Sequence, residues 1–191
     1  MFNKTRIEIF TDGILAIIIT IMVLDIKAPA TGDLSLLMAL APKFFSYMLS
    51  FVYIGIYWNN HHHMFALVDG INWKIMLSNF NLLFWISLIP FTTSWLGETN
   101  FAEVPSIAYG VILLLAAIAY RFLEKQIIKT QGVDSKLKKA IGNVKKEWLS
   151  IFLYLAGIII GFFLSLLSFI IYIGVAVFWI IPDKRIEKVA K

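Results

Sequence analysis

Of 191 residues, 60% are hydrophobic and only 15% are charged, and the mean hydropathy is +0.81. A soluble domain of this length needs far more polar surface, so composition excludes one and points to lipid-facing helices in a single membrane domain over residues 1–191. The absence of cysteine excludes disulfides and thiolate metal sites, and the net charge of +5 has to be read from its placement before nucleic acid is considered.

A bilayer core of about 30 Å takes about 20 apolar residues per helix. The apolar stretches predict transmembrane helices over 7–26, 44–64, 75–96, 105–123, 148–165 and 167–182. Met1 to Arg6 leads into the first of them much as a signal peptide begins. No small-residue cleavage site follows, however, and Asp12 and Asp25 sit in or beside the stretch, so it reads as a retained helix. Lys27 to Asp33 is turn chemistry that ends it, and Leu34–Leu40 is too short to span and fits an interfacial turn of helix. Pro105 suits the first turn of the fourth helix. Residues 124–147 alternate basic and apolar positions and predict a cytoplasmic amphipathic helix. The last two spans are nearly continuous, with their boundary placed near Leu166–Ser168, and Pro182 marks the exit of the sixth. The two halves of the chain do not repeat each other, which argues against an inverted-repeat transporter.

The charges then fall into place. Lys4, Arg6, Lys74, the lysines between Lys125 and Lys146, and Lys184 to Lys191 share one side. Lys27 and Lys43 fall on the other, together with Asp33, Glu98 and Glu103. The positive-inside rule makes the basic side cytoplasmic, with both termini there, in a multi-pass protein of the cell membrane. The charge is thus explained by the bilayer and gives no reason to invoke nucleic acid.

Several residues invite a chemical reading. Ser78, Asn79, Asn81, Ser87, Thr92 and Thr93 surround Pro90 on the third helix, and interhelical hydrogen bonding around a proline kink accounts for them. His61, His62 and His63 end the second helix, but consecutive residues splay about 100° apart and do not converge on one metal ion. Hydrogen bonding at the cytoplasmic interface fits them better, with titration near neutral pH as a side possibility. No nucleophile elbow, Walker or dinucleotide-binding glycine pattern is present, so nothing indicates an enzyme or a cofactor.

The first helix is the most informative. Asp12 is its deepest acid, and an ionisable residue inside the membrane normally faces protein or water. It lies opposite a stripe of Ile17, Ile21 and Leu24, with Thr20 at the edge. Periodicity alone does not separate a pore face from a lipid-facing or packed one.

Three segments carry a family resemblance. Arg6-x-x-x-Phe10-Thr11-Asp12 resembles the Arg-x-x-x-Phe-Ser-Asp signature of prokaryotic relatives of transmembrane protein 175, the endolysosomal potassium channel. Trp58-x-x-His61-His62-x-x-Phe65 and Pro90-Phe91-x-Thr93 are similar to that family's second- and third-helix motifs. Thr11 replaces the usual serine and keeps the hydroxyl, and the resemblance is good over about the first 125 residues. It implies an all-α subunit of six transmembrane helices, four copies of which form a homotetramer around a central pore lined by the first helix. It places a hydrophobic gate at Ile17, with Ile21 and Leu24 further along the pore, and a hydroxyl involved in selectivity at Thr20. Arg6, Phe10, Thr11, Asp12, Trp58 and His62, with His61 as a lesser member, would form a structural network. The implied function is a potassium-permeable cation channel of weak potassium-over-sodium selectivity, with potassium as the permeant species. The competing reading is a proton-coupled secondary transporter that uses Asp12 and the second-helix histidines as a relay.

Overall fold

The computed structural model describes residues 3–132, 134–141 and 145–180, and among these the regular structure is helical. The helices are α1 (Lys4–Leu24), α2 (Leu34–Ala39), α3 (Ala41–Ala66), α4 (Trp73–Ser87), α5 (Ile89–Glu98), α6 (Glu103–Gln131), α7 (Lys136–Ile141), α8 (Lys145–Gly161) and α9 (Ser165–Ile180). Three continuous helical stretches are long and apolar enough to cross a membrane: Lys4–Leu24, Trp73–Glu98 and Glu103–Gln131. Local chemistry sets several helix ends. Asn3 and Asn72 cap α1 and α4, their side chains accepting from the backbone N–H groups of Arg6 (3.4 Å) and Ile75 (3.0 Å).

Three boundaries differ from the sequence expectation. The stretch 75–96 is two helices that meet at Leu88, because Pro90 has no N–H to donate and its ring crowds the preceding turn. The hydroxyls of Thr92 and Thr93 fold back on the Ile89 carbonyl at 3.2 and 2.7 Å and help to satisfy the kinked backbone. The amphipathic segment 124–147 is not one helix. Its first residues extend α6 to Gln131, and Gly132 then ends it at φ 91° and ψ 169°, a conformation essentially confined to glycine. The remainder holds the short α7, with Leu137 and Ala140 buried and Lys136, Lys138 and Lys139 turned out. Finally, the turn between α8 and α9 falls at 162–164, ahead of the expected Leu166–Ser168. Hydropathy cannot locate a turn inside an unbroken apolar run. The expected end of the sixth span, with Pro182 and the basic residues beyond it, lies outside the described residues.

Polar pairs gather at two opposite ends of the bundle. At one end Tyr120 Oη donates to the Asn60 carbonyl (3.2 Å), Asn72 Nδ2 donates to Thr130 (3.1 Å), and Arg121 of α6 meets Glu147 of α8. At the other, Lys43 pairs with Glu98 (3.0 Å) and Ser94 donates to Asp25 (2.7 Å). Consecutive long helices therefore run in alternating directions. α6 is the central strut and packs against α4, α5, α8 and α9, whereas α1 is peripheral and touches α3, α4 and α5.

The tightest packing lies where α6, α8 and α9 meet. Tyr172 of α9 is fully buried, with its ring against Gly110 of α6 and Gly157 of α8. Tyr53 on α3 donates to the Tyr172 backbone carbonyl at 2.6 Å. A methyl at residue 110 would overlap the Tyr172 hydroxyl and the end of its ring, and this wedged aromatic cannot yield cheaply. Gly110→Ala should therefore destabilise the protein by about 1–3 kcal/mol in thermal unfolding in detergent. Gly174→Ala, with nothing within 4 Å of the added methyl, should leave the melting temperature unchanged or raise it.

Candidate functional site

The rotation of α1 about its axis decides which of its residues meet protein. Thr11, Leu15, Ile18 and Met22 recur at intervals of three and four and are buried against α3, α4 and α5. That stripe contains a single polar group, and this group is where the helix is fixed. Asn79 of α4, fully buried, donates from Nδ2 to Thr11 Oγ1 at 2.9 Å. Its Oδ1 meets His61 Nε2 of α3, also at 2.9 Å. An amide oxygen only accepts, so His61 must donate from Nε2. One amide thus ties three helices together.

A second, shallower tie lies beside it. Trp58 Nε1 donates to Asp12 Oδ1 at 3.0 Å, and the Trp58 ring stacks on His62. Phe10 meets Phe80 of α4 edge-on, with 5.6 Å between ring centroids. The structure therefore brings Phe10, Thr11, Asp12, Trp58, His61 and His62 together. Arg6 stays outside the cluster: it is exposed, and among the described residues its guanidinium makes no ion pair. The order of the histidines is reversed relative to expectation. His61 is the buried, bonded member, stacked on Phe65, and His62 is exposed. One helical step of about 100° separates them, which is enough to move a ring from the α3–α4 interface to the outside. Asn79 was legible in the sequence only as one of several polar residues on its helix. What singles it out is the i,i+4 row with Ile75 and Leu83, both buried.

The opposite side of α1 carries Ile17 (57% exposed), Ile21 (52%) and Leu24 (77%). Thr20 sits on the same exposed side and donates its hydroxyl proton to the Ile17 carbonyl at 2.8 Å. Its oxygen lone pairs are left facing outward. Beyond Ile21, at the end away from the Asn79 tie, a cleft of about 450 Å³ is bordered by Asp25, Lys43, Ser94 and Glu98. The Glu98 charge is met there by Lys43 and one Asp25 oxygen is taken by Ser94.

With this geometry in view, relatedness can be considered. The sequence profile described as endosomal/lysosomal potassium channel TMEM175 matches residues 6–90, the span that contains both the polar tie and the exposed face. A potassium channel of Chryseobacterium sp. (strain P1-3) is 49% identical over 189 residues, covering 99% of this chain and 98% of the relative. The chain belongs to the TMEM175 family. A potassium channel of Streptomyces collinus is 34% identical over 138 residues, 68% of this chain and 67% of that one. The crystal structure of a lysosomal potassium-selective channel TMEM175 homolog from Chamaesiphon minutus superposes with a TM-score of 0.81 at 32% identity. It covers 93% of this chain and 96% of that one.

If Asn79 holds α1 through Thr11, the two side chains must be energetically coupled. A double-mutant cycle of Thr11→Ala and Asn79→Ala, read by thermal unfolding, should give a coupling of about 0.5–1.5 kcal/mol, the range typical of interhelical hydrogen bonds in membranes. Additive effects would mean that the bond does not hold the helix.

Proposed function

We propose that this chain is the subunit of a potassium-permeable channel, a homotetramer in the cell membrane whose central pore is lined by α1. Each subunit would cross the bilayer six times, through α1, α3, the kinked α4–α5 pair, α6, α8 and α9, with both termini cytoplasmic. The observation that carries the reading is the division of α1 into a docked stripe at Thr11, Leu15, Ile18 and Met22 and an uncovered apolar stripe at Ile17, Ile21 and Leu24. The potassium-channel relatives supply the meaning of the uncovered stripe, which hydropathy alone would assign equally well to lipid.

The mechanism follows from what such a stripe offers an ion. Four copies of Ile17 around a narrow axis form a ring that holds no water when closed. An ion crossing it must shed hydration with nothing to replace the lost ligands, so the ring gates by dewetting. Ile21 and Leu24 extend the apolar path toward the outer end. Four Thr20 oxygens would be the nearest protein ligands, and each already gives its proton to the Ile17 carbonyl. They can accept a cation but form no carbonyl cage. Such a site favours potassium over sodium only through the lower cost of dehydrating potassium, and selectivity should be weak.

The proton-coupled transporter reading finds less support. Asp12 is bonded to an indole N–H and His61 to an amide oxygen, and neither partner passes on a proton at physiological pH.

Liposome flux and bilayer recording test the proposal. Ile17→Asn should hydrate the closed ring and raise the basal potassium conductance several-fold, and Thr20→Val should lower the potassium-over-sodium permeability ratio. Wild-type conductance and selectivity in both variants would remove α1 from the pore.

A further inference from the structure

Far from the exposed face of α1, the α6–α8 contact encloses a cluster of charges. Arg121 Nη1 pairs with Glu124 Oε1 along α6 at 2.6 Å and with Glu147 Oε2 of α8. The three side chains are only 13%, 5% and 14% exposed. Both carboxylates therefore meet at the same guanidinium nitrogen. Other charged and titratable groups come from every neighbouring helix. α3 contributes Tyr57 and α6 Tyr120, while Lys138 of α7 acts on Glu124. In α8, Lys145 and Lys146 precede Glu147 in the chain, and Tyr154 lines the same space. α9 brings the Trp179 indole, over which the Lys146 ammonium lies at 4.7 Å.

Two buried carboxylates placed around one guanidinium repel each other, and burial withdraws the water that would screen them. A single proton removes the repulsion: the protonated carboxyl donates to its neighbour while Arg121 still contacts both. Glu147 also borders a cavity of about 40 Å³ between α3, α6, α8 and α9, whose walls include Asn60, Tyr120 and Ser150.

We propose that Glu124 and Glu147, held by Arg121, bind one proton between them and that this proton latches α8 to α6. The site is separate from the pore helix and is distinct from a conduction path. Because only the protonated pair relieves the repulsion of two carboxylates on one guanidinium nitrogen, the latch is complete in acid and is lost as pH rises.

The test is thermal unfolding of the detergent-solubilised full chain from about pH 5 to about pH 8, a range that brackets this titration. Wild type and Glu147→Gln, a mimic of the protonated form, should melt together at the acid end. At the alkaline end the wild type should melt a few degrees below the variant. The difference isolates this site from the histidines, which both proteins share. A difference that does not change with pH, or a variant that is less stable at the alkaline end, would overturn the proposal. Should Glu147→Gln fail to fold, Glu124→Gln is read by the same criterion. The wild type supplies a direct readout as well: its infrared spectrum should contain a protonated-carboxyl C=O band that fades as pH rises through neutrality, and its absence from the acid end upward would sink the idea. Potassium flux does not enter this experiment, so its outcome is independent of the pore assignment.

Discussion

A side-chain amide buried among apolar helices must find its hydrogen-bonding partners in other helices, because lipid offers none and water is kept out. Asn79 meets that demand by binding Thr11 on α1 and His61 on α3. The bonds are directional, so they fix more than proximity: they set the rotation of α1 about its own axis. Apolar packing of Leu15, Ile18 and Met22 is compatible with small rotations, since isoleucine and leucine fill similar space on neighbouring faces. The Thr11 hydroxyl has no such tolerance. Turning α1 by one residue would carry it out of reach and strand a buried amide, at a cost of about 1–3 kcal/mol per unsatisfied group. The outward placement of Ile17, Ile21 and Leu24 is therefore a consequence of where Thr11 is held.

The rest of the bundle makes that anchor rigid. α4 can position Asn79 only if α4 is itself fixed, and it leans along the length of α6. α6 is clamped on its far side by α8 and α9 through Tyr172, seated against Gly110 and Gly157, where only glycine admits the ring. The Pro90 kink sends α5 toward α1 and α3, and Ser50, Thr93 and Tyr109 bond there in one buried cluster at 2.6 and 2.9 Å. Buried polar groups thus lock the helices in register, while van der Waals packing supplies most of the cohesion.

Much of this was legible in the sequence because membrane helices advertise themselves by hydropathy and by the placement of charge. The apolar runs, the turn chemistry at Lys27 to Asp33 and the proline at residue 90 were readable residue by residue. The α8–α9 turn was not, since 162–164 are as apolar as their neighbours. Gly132 was passed over because the basic alternation continues across it, yet its positive φ is what ends α6. At the site, composition identified Asp12 as the costly group, and it sits at the edge of the interface. The deeper tie uses neutral Thr11, Asn79 and His61, which no charge-based reading ranks highly. The Arg121–Glu124–Glu147 cluster has no sequence signal of its own, because only the packing of α8 onto α6 brings its members together and buries them.

The same physics that holds α1 accounts for the character of its free face. A helix tied by the Asn79 bonds near one end and by the Ser94–Asp25 bond just past the other is held against axial rotation at both ends, with apolar contacts between. In the proposed pore, Ile17, Ile21 and Leu24 lie between these two ties. A hydrophobic constriction needs only a small widening to become wet, because the free energy of confined water changes steeply with radius. A slight outward bow of the helix between its ties would supply that widening without breaking the Asn79 bonds. Restoring force would come from the packing of Ile18 and Met22, which gains nothing by moving outward. A channel of the proposed design would need no flexible filter loop, since the ties would set the helix rotation and the apolar face the barrier to the ion.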